Sequence, residues 1–170
     1  MSHRTFAISV AALAIAIASI VAFAPVSAAV SVGSKAPSFK VVTLDGKSIG
    51  LADLADKPTL IVFWANWCPH CRVELPVIQK VFRELGPKGV NIIGISLDTD
   101  SAAAKKLVSD SKITFPIAIV GASSDMTKSY SITGIPALFV LDKDGIVKAR
   151  YAGEVSESTI RSELEKLGVK

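Results

Sequence analysis

Residues 59–64, Thr-Leu-Ile-Val-Phe-Trp, are apolar on both alternating faces, and from Cys68 onward the apolar side chains recur in steps of three and four instead. A strand without a polar face must be covered on both sides, and the change of period places a helix start just past its carboxyl end. Cys71, Leu75, Ile78, Val81, Phe82 and Leu85 make the buried stripe of that helix, which Gly86-Pro87 ends. Pro76 lies inside it and removes a backbone donor, which should bend the helix at an unrelieved cost of about 3 kcal/mol.

The rest of the chain alternates in the same manner. Residues 39–44 and 47–49 flank Asp45-Gly46, a hairpin signal, and residues 51–54 can close one helical turn. Residues 91–97 read as a second buried strand, 102–109 as a short helix, 115–120 as a third strand and 125–130 as a turn or short helix. Gly134-Ile135-Pro136 precedes a strand over 137–141, proline being tolerated at a strand's first position. A turn at 142–145 leads to a strand over 146–151, and Ser156 caps a closing helix over 159–167. This order specifies an α/β domain with a mixed central sheet flanked by helices. At 170 residues the chain has room for one such domain, which we place at residues 29–170.

Residues 1–28 read as a separate object: Arg4 near the start, an uncharged stretch of 19 residues from Phe6 to Ala24, then Pro25 and the small-residue site Val26-Ser27-Ala28. That is the order of a secretory signal peptide, and Pro25 and the abundance of alanine favour cleavage. An uncleaved N-terminal membrane anchor is the rival reading, since the stretch nearly reaches the roughly 20 residues a spanning helix needs. Either way the domain is expected outside the cytoplasm, periplasmic or otherwise extracytoplasmic. The formal charge of +4, with no basic run longer than Lys105-Lys106, gives no footprint for nucleic acid.

Cys68 and Cys71 are the chain's two cysteines, both in one local pair. A loop of two residues constrains an unfolded chain little, so the pair is read as a redox-active disulfide that turns over rather than as a staple. Cys68, at the helix start, is the expected nucleophile, because a thiolate there gains the macrodipole and unsatisfied backbone donors. Cys71, inside the first turn, should stay buried and protonated until a mixed disulfide forms. Pro69 and His70 between them tune the couple, His70 by charge or a hydrogen bond to the thiolate, unless it is merely an exposed helix-start residue. Glu74 lies one turn past Cys71, where a desolvated carboxyl can take the Cys71 proton, although its spacing alone favours a solvated surface acid. Trp64 and Trp67 read first as packing, with Trp67, beside Cys68, also suited to meeting partners.

Zinc would need more ligands than the two cysteines and the one histidine that residues 29–170 hold, and haem attachment needs a histidine where Arg72 stands. No metal site is expected. A peroxidase of the peroxiredoxin type would carry a proline and a threonine or serine where Ile61 and Ala65 stand. Copper(I) capture by two thiolates is the rival from a binding class.

The order of elements, with Trp64, Trp67, Cys68, Cys71, Pro76 and Ile135-Pro136, resembles the thioredoxin fold. More narrowly, residues 33–166 are similar to the exported TlpA/ResA-like thiol:disulfide oxidoreductases, through the lead-in Gly33-Ser34-Lys35-Ala36-Pro37-Ser38-Phe39, the Leu44-Asp45-Gly46-Lys47 hairpin, the run from Trp67 to Pro76, and a central insertion after Leu97. The resemblance implies a cis Pro136 against the dithiol, with the Ile135 backbone pairing with substrate peptide, and selects Glu74 as the site's acid; the aspartate that thioredoxin buries in its central strand is replaced here by Val62. It implies a monomeric reductant of exported proteins, such as apocytochromes c or copper-site cysteines, fed by a thiol-type membrane electron donor without an organic cofactor. Pro69-His70 instead matches the strongly oxidising DsbA, which leaves a DsbA-like thiol oxidant as the alternative.

Overall fold

The computed structural model describes residues 30–170, so the expected signal or anchor and its boundary at residue 28 lie outside the described residues. A lead-in passes to β1 (Lys40–Val42) and β2 (Ser48–Gly50), an antiparallel hairpin turning at Asp45-Gly46, followed by one 3-10 turn at Leu51–Leu54. The core sheet then runs through β3 (Thr59–Trp64), β4 (Asn91–Ser96), β5 (Ile117–Ile119), β6 (Ala137–Leu141) and β7 (Val147–Ala152). Its order is β5-β4-β3-β6-β7, with β3 parallel to β4 and β4 to β5, and β6 antiparallel to both β3 and β7. Helix α1 (Pro69–Leu85) follows β3, α2 (Ser101–Asp110) and α3 (Asp125–Ser129) bracket β5, and α4 (Glu157–Glu165) closes the chain. Among the described residues no helix is long and apolar enough to cross a membrane.

Central β3 is buried at every position, as a strand covered on both faces must be. Its Trp64 indole lies across Gly94 of β4, where a Cβ would overlap Ile117, so glycine is the residue that lets β3, β4 and β5 pack there. Several elements differ in extent from their sequence reading: β1 covers three residues of the six expected over 39–44, and α4 ends at Glu165 rather than at 167. β5 is three residues rather than six, because Pro116 has no N–H to give the ladder and contributes only its carbonyl, to Gly94 N at 2.9 Å. Helix α4 starts two residues earlier than expected, directly after Ser156, whose hydroxyl accepts from Thr159 N at 3.2 Å. Helix α1 continues through Pro76, which is exposed, as is Arg72, so the carbonyl that loses its helical donor lies on the solvent side of the helix.

This topology gathers four segments at one sheet edge. Parallel β3 and β4 end together, so residues 65–68 and 97–98 meet there. Antiparallel β6 begins at that same edge, with Ala137 opposite Phe63, and β7 ends at it, with Ala152 opposite Ala137. Pro136 and residues 153–155 therefore join Cys68 without any of them being near it in the chain.

Candidate active site

Cys68 is the N-cap of α1, in the position where serine or aspartate more often stands, and its sulfur accepts from Cys71 N at 3.2 Å. Pro69 follows at the first helical position, where its missing N–H costs nothing. The two cysteines are free thiols. Cys71 is sealed in the core, while Cys68 keeps 5% of its surface, less than the open helix end suggests. The difference arises because the Cys68 thiol is folded under the Ile135 carbonyl, to which it donates at 3.6 Å. Burial first, and the neighbouring Cys68 second, push the Cys71 thiol far above its ordinary value. Cys71 is thus held protonated.

The structure brings together most of the residues singled out above. The Ile135-Pro136 bond is cis and Pro136 is buried beside the dithiol, with Ile135 half-buried. Trp67 is 61% exposed next to Cys68, the largest apolar surface at this edge. Trp64, by contrast, is wholly core. Glu74 is 2% exposed, against the surface position its spacing favours; one carboxyl oxygen accepts from Val155 N at 3.0 Å and the other has no partner among the described residues. Burial raises its pKa first, the Val155 N–H opposes, and the nearby Glu154 charge raises it further.

His70 is exposed at the helix start, and the hydrogen bond that its sequence reading offered to Cys68 is made elsewhere. Its exposed ring engages the carboxylate of Glu154 through Nδ1, while the Cys68 sulfur is contacted by the backbone of Cys71 and Ile135. Two helical residues along, Arg72 turns back to donate from Nε to the Asn66 carbonyl at 2.7 Å.

One contributor went unnoticed in the sequence. Asp98, 2% exposed just beyond β4, accepts from Asn66 N at 2.9 Å, from the Asn66 side chain, and from Ser96 Oγ at 2.7 Å. It fixes the loop that carries Trp67 and Cys68. A charged residue directly after a strand read as buried, at the sheet edge where sites form, was the available signal. Asp98→Ala strands the buried Ser96 hydroxyl and the half-buried Asn66 donors, so a loss of roughly 2–4 kcal/mol in urea unfolding is expected. Asp98→Asn, which keeps one acceptor, should lose less.

A five-stranded mixed sheet carrying a Cys-x-x-Cys helix start opposite a cis-proline defines a dithiol protein of the thioredoxin fold. The AhpC/TSA family model matches residues 32–150. Thiol-disulfide oxidoreductase ResA of Bacillus cereus is 34% identical over 80% of this chain and 78% of its own. Thiol:disulfide interchange protein DsbE of Pseudomonas fluorescens is 35% identical over 78% of this chain and 73% of its own. A crystal structure of a thioredoxin-family thiol:disulfide interchange protein from Chlorobium tepidum superposes with a TM-score of 0.73 at 28% identity, covering 82% of this chain and 99% of that one. The chain belongs to the AhpC/TSA family and, within it, to the thiol-disulfide oxidoreductases of ResA and DsbE type.

Proposed function

We propose that this enzyme exchanges disulfides with exported proteins outside the cytoplasm through Cys68 and Cys71, and that it works as a reductant. Two electrons leave the dithiol. The Cys68 thiolate attacks a client disulfide, releasing one client thiol; Cys71 then attacks the Cys68 sulfur, releasing the second and leaving the Cys68-Cys71 disulfide. When Cys68 loses its proton it no longer donates to the Ile135 carbonyl, which is then free to accept a client backbone N–H beside Pro136. Exposed Trp67 offers the client an apolar platform. The clients of this reading are apocytochromes c or copper-site cysteines, the electrons come from a membrane thiol donor, the enzyme is a monomer, and no organic cofactor takes part.

The observation that carries the reading is the pair itself: an N-cap thiol at the sheet edge above a second thiol that is buried and held protonated. The direction is favoured by His70, whose ring is engaged by Glu154 while the Cys68 sulfur is met by backbone groups. Equilibration with glutathione buffers tests it. A reductant is expected below about −250 mV, whereas a potential near −120 mV, where strong oxidants lie, would reverse the direction. Stoichiometric copper(I) retention without any turnover would replace enzyme by carrier.

A further inference from the structure

Three consecutive residues after β7 each hold a different part of the dithiol's surroundings. Gly153 donates its N–H to the Pro136 carbonyl at 2.8 Å. The Glu154 carboxylate meets Nδ1 of His70 in the first turn of α1. Val155 donates its N–H to Glu74 at 3.0 Å, the one hydrogen bond that this buried carboxyl makes among the described residues. The loop has a fixed base, because α4 behind it is tied to α1 by Lys80–Glu157 at 2.9 Å and Arg161–Glu84 at 2.7 Å. Cis-proline loop, helix start and buried acid are thus referred to one short segment.

We propose that Glu154 is a positioning residue of the redox site, which by engaging His70 keeps the dithiol a stronger reductant than its Pro-His sequence would make it. The proposal rests on the reading of the pair as a reductant. An imidazole two residues past a helix-start cysteine stabilises the thiolate, and with it the reduced form, by charge or hydrogen bond. Glu154 takes the Nδ1 position and supplies a counter-charge, while among the described residues the Cys68 sulfur has only backbone groups as hydrogen-bond partners. Without that carboxylate the imidazole is released to the first turn and the dithiol form gains. Because the pair is exposed, the gain is modest.

The test is the equilibrium in which the protein dithiol and oxidised glutathione give the protein disulfide and two reduced glutathiones, two electrons and two protons passing to glutathione. At pH 7, Glu154→Gln is expected to lower its constant about fivefold, an upward shift of ~20 mV at about 30 mV per tenfold. Glu154→Asp, which keeps the charge, should recover most of the change. In a His70→Ala background the Glu154→Gln shift should vanish, which a purely structural role for the loop would not produce. An unchanged constant in Glu154→Gln, a shift of opposite sign, or an equal shift without His70 overturns the proposal. A wild-type couple more oxidising than glutathione would overturn the reductant reading instead, and would leave the His70-dependent shift to be judged separately.

Discussion

Cys68→Ser is expected to abolish turnover of protein disulfides, and Cys71→Ser to accumulate mixed disulfides with clients. The two outcomes differ because the two sulfurs stand in different environments. Cys68 caps the helix, with the Cys71 N–H directed at its sulfur and the exposed Trp67 beside it. A serine hydroxyl at that place accepts the same N–H but cannot form or break a sulfur-sulfur bond, so the first exchange has no route. Cys71 is buried and held protonated, and contributes only after Cys68 is joined to a client. Its replacement leaves the first attack intact and removes the internal leaving step, so the covalent complex persists until an external thiol releases it. Non-reducing electrophoresis and intact-mass measurement of Cys71→Ser incubated with a disulfide-containing protein check this directly. Turnover by Cys68→Ser, or absence of a mixed disulfide in Cys71→Ser, would remove the roles assigned to the pair.

Elements whose signal is local could be read along the chain, and those that depend on contact across it could not. The run at 59–64, apolar on both faces after Thr59, and the stripe from Cys71 to Leu85 announced β3 and α1 because burial of both strand faces and one helix face leaves a trace in the sequence. The dithiol was legible for the same reason, its two members being three residues apart. His70 was legible as a residue of interest but not in its bonding, since Glu154 is 84 residues away and reaches it only because β7 ends where α1 begins. Asp98 serves Asn66 across 32 residues through the parallel register of β3 and β4. Glu74 is the instructive case. Its spacing placed it at the margin of the apolar stripe, where solvation is the default for a carboxylate, and the α4 side of the molecule closed over it.

Burial of that carboxyl has two consequences that Glu74→Gln should separate. The first is kinetic. Cys71 must lose a proton before it can attack, and burial makes that loss costly; a carboxylate one helical turn away, itself raised by burial, is a stronger base than a solvated one. Glutamine accepts the Val155 N–H equally well but cannot take a proton. Release of the second client thiol, followed by stopped-flow after rapid formation of the mixed disulfide, is therefore expected to slow about 100-fold, with the initial attack by Cys68 little changed. Equal slowing of both steps would assign Glu74 to structure rather than proton transfer. The second consequence is thermodynamic and has a definite sign. With its folded pKa raised, Glu74 binds its proton more tightly in the native than in the unfolded chain, so its contribution to stability is complete below the ordinary carboxylate range and is lost as pH rises through the raised value. Glu74→Gln has no such proton to lose. The variant should gain on the wild type in urea midpoint as pH climbs from about 4 upward, and a difference between them that stays flat with pH would mean that the Glu74 carboxyl ionises in the folded chain as freely as in water.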